Sequence, residues 1–157
     1  HDIHRHLTLY TLKKEKKESI EEAAKHYYKK LEPYKIEKTH TFIAEKIKQG
    51  WVPVLVSNSI DVAINPIAEK NNFEYVASKL AWEDNKCLGS LAVDLTGRKR
   101  FYLEKKLGQS LSTMNFEVIT DNKSDIDLIA AARSATLVAK AKPKKWMLKT
   151  NAKILLY

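Results

Sequence analysis

FEVITDNKSDIDLIAA, residues Phe116–Ala131, changes hydrophobic period in the space of a few residues. The apolar run Phe116, Val118, Ile119 ends on a polar cluster, and a helix-like spacing of Ile126, Leu128 and Ile129 then begins. Ser124 or Asp125 stands where an N-cap belongs. The stretch therefore reads as a strand-to-helix junction carrying two carboxylates four residues apart, Asp121 and Asp125. Ligands of open α/β sheets collect at the carboxyl ends of strands, so acidic side chains there gather a hard cation or serve proton transfer. Asp and Asn are also ordinary loop and capping residues, so the stretch alone leaves a purely structural role open.

Working outward, the 157 residues are 44% hydrophobic with only 4 Gly and 4 Pro, enough for a globular core without low complexity. No apolar run approaches the roughly 20 residues of a membrane span, so no membrane partner is expected. The single cysteine, Cys87, excludes an intramolecular disulfide and fits a reducing compartment, which points to the cytoplasm. A net charge of +9 raises the question of a polyanionic partner. Its basic runs are Lys13–Lys17, Arg98–Lys106 and Lys140–Lys149; the first reads as a solvated helix face laced with Glu15, Glu18, Glu21 and Glu22, the last as a surface helix after Pro143, and neither shows the aromatic interleaving of a single-strand platform, so nucleic acid is not the expected partner. His1, His4 and His6 crowd the amino end, where their spacing reads as a terminal feature rather than a metal site.

Two amphipathic helices are expected over Glu18–Leu31 and Ile36–Lys48, the second stopped by Gly50. The run WVPVLVSNS predicts a buried strand over Val52–Val56, followed by a helix over Ile60–Lys70. A short run EYVAS and two segments around Leu80–Glu83 and Cys87–Leu95 suggest a hairpin turning at Asn85-Lys86. A helix over Lys99–Leu107, the junction above, a strand over Thr136–Ala139, a helix over Lys144–Leu148 and a strand over Ile154–Tyr157 complete the chain. This alternation predicts an α/β fold with a Rossmann-like, doubly wound, mostly parallel sheet.

Three segments offer compatible chemistry. Ser57 and Asn58, past the end of the first strand, present a hydroxyl and backbone N–H groups suited to phosphate oxygens. Lys99, after Gly97 and before Phe101-Tyr102-Leu103, places an ammonium beside a phosphate or a carboxylate. Asp121 and Asp125 complete the set with a magnesium ligand and a carboxylate that orients the lysine or the metal shell.

In VPVLVSNSIDVAINPIAEK, FEYVASKLAWEDNKCLGSL, TGRKRFYLEKKLG and VITDNKSDIDLIAAA, from about Lys35 onward, the chain resembles haloacid dehalogenase superfamily hydrolases of the phosphoserine-phosphatase-like group. The resemblance implies a Rossmann-like core over residues 50–157 and a partial helical cap with linker over residues 1–49. It implies Mg2+ and a phosphomonoester hydrolase acting on a small phosphorylated metabolite through an aspartyl-phosphate. Ser57 and Asn58 would bind the phosphoryl group, Lys99 and Asp125 would be catalytic, and Asp121 would hold the metal. Thr120 and Asn122 depart from the commoner Gly-Asp-Ser pattern of the fourth motif.

The first motif of these hydrolases, an apolar strand ending in Asp-x-Asp, has no counterpart before Val52. That strand carries the nucleophile and lies at the centre of the sheet, and losing it leaves buried edges whose unpaired groups cost on the order of 1 to 3 kcal/mol each. The chain is therefore expected to be the carboxyl-terminal part of a longer polypeptide, or to receive the segment separately, and the lack of an initiating Met agrees. Two other readings stand beside this one, a catalytically inactive binding or scaffold protein of the same fold and a basic nucleic-acid-binding or end-processing protein.

Overall fold

The computed structural model describes the backbone of residues 2–157 and the side chains of Arg5 and of residues 7–157. The imidazoles of His1, His4 and His6 lie outside the described residues. The chain is mixed α/β and divides into two compact units, one of residues 1–34 and 52–96 and one of residues 35–51 and 97–157. Within the first unit the helix of residues 2–11 packs against the strand of residues 86–93, and the helix of residues 17–31 against the helix of residues 61–71.

In the first unit, α1 (Asp2–Thr11) and α2 (Lys17–Leu31) precede β1 (Val54–Ile60), α4 (Asp61–Asn71), β2 (Glu74–Glu83) and β3 (Lys86–Val93). β1 runs parallel to β2, and β3 returns antiparallel to β2. The hairpin turns at Asp84-Asn85, one residue earlier than expected, because those two residues adopt the positive φ (46° and 63°) that a tight two-residue turn demands. Leu9, Ile20, Val62, Leu80 and Cys87 form the buried core, with Leu12, Ile60, Trp82 and Leu91 against it. Gly89 lets α1 approach β3: at φ 71°, an added Cβ would meet the Lys13 Cβ at 3.0 Å and the Leu9 carbonyl oxygen at 3.3 Å.

The second unit contains α3 (Glu37–Lys48), α5 (Lys99–Leu107), β4 (Glu117–Thr120), α6 (Ile126–Ala131), β5 (Ser134–Ala139) and β6 (Lys153–Leu156). Its sheet is wholly parallel in the order β4-β5-β6, so all three strands end at the same edge. Leu137, Ala139 and Met147 are buried at its core beside Ile129, Trp146 and Ala152. The helix expected over Lys144–Leu148 is only a single 3-10 turn, Met147–Lys149. Three apolar residues there, Trp146, Met147 and Leu148, are consecutive and cannot share one helical face, so Met147 alone is fully buried. Gly50, at φ 87°, ends α3 as expected, and the Trp51 N–H closes onto the Lys46 carbonyl at 3.1 Å. Among the described residues no helix is long and apolar enough to cross a membrane.

The Lys46 ammonium of α3 meets the Glu117 carboxylate of β4 at 2.5 Å and lies over the rings of Phe42 and Trp51. The hydrogen bond from Lys46 holds the Glu117 carboxyl below its ordinary value, against an opposing push from burial. A lowered folded-state value means stability that is full above the unfolded carboxylate value of about 4.3 and is lost as pH falls through the folded value.

Two outcomes are expected. Gly89→Ala destabilises the protein by about 1–3 kcal/mol in denaturant unfolding, because the new methyl meets both strain at positive φ and the backbone of α1. Glu117→Gln removes part of the stability loss seen below about pH 4.5, so its unfolding midpoint falls less steeply with acidification than that of the parent. An acid limb unchanged by the substitution would contradict the Lys46–Glu117 account.

Candidate functional site

The strand-to-helix junction is built as expected in outline and differently in its capping. β4 ends at Thr120, a 3-10 turn occupies Lys123–Asp125, and α6 starts at Ile126. The side chain that caps this turn is Asn122, whose Oδ1 accepts the Ser124 N–H at 3.0 Å. Asp125 occupies the N-cap position of α6 yet makes no side-chain cap, and Ser124 makes none either. The Asp125 carboxylate is turned inward instead, where stronger partners await it.

Lys99, at the first position of α5, donates to Asp125 Oδ1 at 2.6 Å. The Thr120 hydroxyl donates to Asp125 Oδ2 at 2.7 Å, and the Ser124 hydroxyl to Oδ1 at 3.3 Å. Both members of the ion pair are 6% exposed. A buried charge is tolerated only when paired and hydrogen-bonded, and this carboxylate has a cation on one oxygen and hydroxyls on both. The Thr120 oxygen in turn accepts the Asn122 N–H at 3.0 Å, which fixes the backbone of the turn around Asp121. Thr120 thus has a part that the sequence reading missed. Its spacing five residues before Asp125 is the only signal, and the strand-to-helix junction is what gives that spacing meaning.

Asp121, by contrast, is exposed, and neither a hydrogen bond nor an ion pair engages its carboxylate among the described residues. The division of labour is clear from this geometry. Asp125 is committed to holding Lys99, and Asp121 has its oxygens available at the carboxyl end of β4.

The other expected phosphate group belongs to the first unit. β1 is longer than predicted, running to Ile60, so Ser57 and Asn58 lie within the strand rather than past its end. They nevertheless sit at an irregularity, because the register with β2 shifts between Ser57 and Ile60. The Ser57 hydroxyl accepts the Ser59 N–H at 3.1 Å, an ST-turn type of contact that shapes the bulge. The Asn58 carbonyl accepts from Arg5 Nη2 at 2.7 Å, and the same guanidinium binds Ser78 Oγ, Asp94 and Thr96. Asn58 Oδ1 is buried with no hydrogen-bond partner. Nothing in the spacing links Arg5 to a residue 53 positions away, so this clamp was not legible beforehand.

Among the described residues no three His, Cys, Asp or Glu are gathered for a metal ion. Mg2+ is held by one or two carboxylates with water and substrate oxygens completing its shell, and it requires hard oxygen donors. The free carboxylate of Asp121 fits one such position.

Asp125→Ala is expected to cost about 3–5 kcal/mol of stability because it strands the Lys99 ammonium in a buried setting. The combined replacement Lys99→Met, Asp125→Leu is expected to recover most of that loss in denaturant unfolding. A single substitution that cost less than the pair would contradict the geometry.

No sequence-family model and no curated protein sequence matches the chain. Solved structures do. A protein of unknown function from Bordetella pertussis Tohama I superposes with a TM-score of 0.82 at 12% identity, over 96% of this chain and 72% of that one. A phosphoserine phosphatase solved as a phospho-aspartyl intermediate analogue gives 0.57 at 22% identity, over 96% and 69%. A haloacid dehalogenase (HAD) family hydrolase from Salmonella enterica serovar Typhi gives 0.53 at 13% identity, over 72% and 40%. The chain has the α/β fold of haloacid-dehalogenase-type hydrolases of the phosphoserine-phosphatase kind.

Proposed function

We propose that the protein is a Mg2+-dependent phosphomonoester hydrolase acting through an aspartyl-phosphate, its carboxylate nucleophile borne on a segment outside these 157 residues. The observation that carries this reading is the buried Lys99–Asp125 ion pair beside a free carboxylate, Asp121, at the end of β4. A lysine held by a buried carboxylate keeps its position, and its other N–H donors remain for a phosphoryl oxygen or for the nucleophile. Asp121 would hold the metal, and Mg2+ when bound supplies charge neutralisation at the transferring phosphoryl group. Asp125 acts through Lys99, as a positioning residue. On the first unit, Ser57 and Asn58 offer a hydroxyl and a carboxamide N–H to phosphate oxygens in their own right. The nucleophile's attack on phosphorus breaks the ester P–O bond and releases the alcohol, and water then returns the aspartate and inorganic phosphate. Among the described residues β4 pairs with β5 alone in its sheet, and an edge of that kind supports delivery of the nucleophile on a strand.

A non-catalytic binding protein of the same fold is the second reading. It is favoured by the lack, within these 157 residues, of any Asp-x-Asp following an apolar strand, since Asp125-Ile126-Asp127 belongs to the junction and Asp125 is already committed to Lys99.

The test uses the chain together with a segment that supplies Asp-x-Asp after an apolar strand, assayed on p-nitrophenyl phosphate with Mg2+. Turnover is expected, reduced about a hundredfold or more by Asp121→Asn. No turnover, or turnover indifferent to that substitution, would contradict the hydrolase.

A further inference from the structure

From Leu128 to Tyr157 the sequence holds seven Lys or Arg and no Asp or Glu. The wholly parallel sheet of the second unit delivers part of this charge to one place. Lys123 leaves the end of β4, Lys140 and Lys142 leave the end of β5, and Lys38 reaches the end of β6, donating to the Leu156 carbonyl at 2.9 Å. All four are exposed, and none forms an ion pair among the described residues. The two lysines after β5 are held there by a tight turn. Ala141 adopts a left-handed φ of 57°, the Lys142 N–H returns to the Lys140 carbonyl, and the Ala141 N–H bonds the Tyr157 carbonyl at 3.1 Å. Neighbouring strands run about 4.8 Å apart, so cations leaving three consecutive ends are spaced over roughly 5–10 Å. That is the scale on which two or three phosphate groups follow one another in a small molecule. Asp121 is the exposed carboxylate at the end of β4, beside Lys123.

We infer that this lysine rim at the carboxyl edge of the second sheet receives further anionic groups of the substrate, which makes the substrate class a phosphoester with more than one phosphate group rather than a monophosphate. The inference rests on the hydrolase reading and names the substrate class of that same site. Clustered exposed cations draw polyanions in proportion to their charge and lose the effect as salt screens them. A compact oligophosphate engages all four lysines at once, whereas an ester of a single phosphate leaves most of them unused.

The test measures binding of inorganic phosphate, pyrophosphate and tripolyphosphate to the 157-residue chain by calorimetry, at low and physiological ionic strength. Affinity is expected to rise from phosphate to tripolyphosphate and to fall with salt. Lys140→Gln with Lys142→Gln weakens tripolyphosphate about tenfold, while Lys29→Gln with Lys30→Gln on α2, an equal change in net charge, alters it less than about twofold. Equal effects of the two double variants, or equal affinity for the three anions, would overturn the rim. A single-stranded oligonucleotide that binds more tightly than tripolyphosphate and is released by the rim variant would overturn the small-molecule class. Binding needs no turnover, so the two readings fail separately. Rim binding without phosphatase activity removes the hydrolase and leaves the rim a polyanion-binding surface, whereas turnover with no preference for esters bearing more than one phosphate group removes the rim.

Discussion

The ion pair between Lys99 and Asp125 is the constraint on which the candidate site depends. It joins the first residue of α5 to the start of α6, two points 26 residues apart in the chain, and it does so out of water. Such a pair adds little net stability by itself, because desolvation consumes much of the attraction. Its value is geometric. Once Asp125 is paid off by Lys99 and two hydroxyls, the turn after β4 has one arrangement, and in that arrangement Asp121 is left facing solvent with both oxygens available.

The same economy explains the small residues around the pair. Thr120 sits on the last position of β4 and works in two directions, donating to Asp125 and accepting from the Asn122 N–H, while Asn122 caps the turn through Ser124. A glycine at position 120 could do neither. Here the side-chain hydroxyl, rather than backbone freedom, stabilises the turn. In the first unit an analogous task falls to Arg5, whose guanidinium gathers the Asn58 carbonyl and three side chains around the irregular end of β1.

Much of this was legible from spacing alone. The helices α2, α3, α4 and α5 and the strands of the second sheet follow apolar periodicities that local sequence displays, and parallel order follows from their alternation. What local patterns could not convey was the choice between competing partners. Asp125 has the sequence position of a helix cap, and only the approach of Lys99 makes it half of an ion pair. Ser57 and Asn58 read as residues beyond a strand, because a bulge looks like a turn until the partner strand is known. The 3-10 turn at Met147 read as a helix for a similar reason, since three consecutive apolar residues say nothing about which of them the core will take.

The central claim is that the end of β4 handles a metal and a phosphoryl group, with Lys99 and Asp125 holding it in shape. Amide chemical shifts of the isotopically labelled chain, titrated with Mg2+ and inorganic phosphate, test it most directly. The account predicts saturable Mg2+ shifts centred on the turn from Thr120 to Asp125 and phosphate shifts that include the start of α5, with the Mg2+ response lost in Asp121→Asn while the fold is retained. Shifts absent from that turn, or unchanged by the substitution, would contradict it.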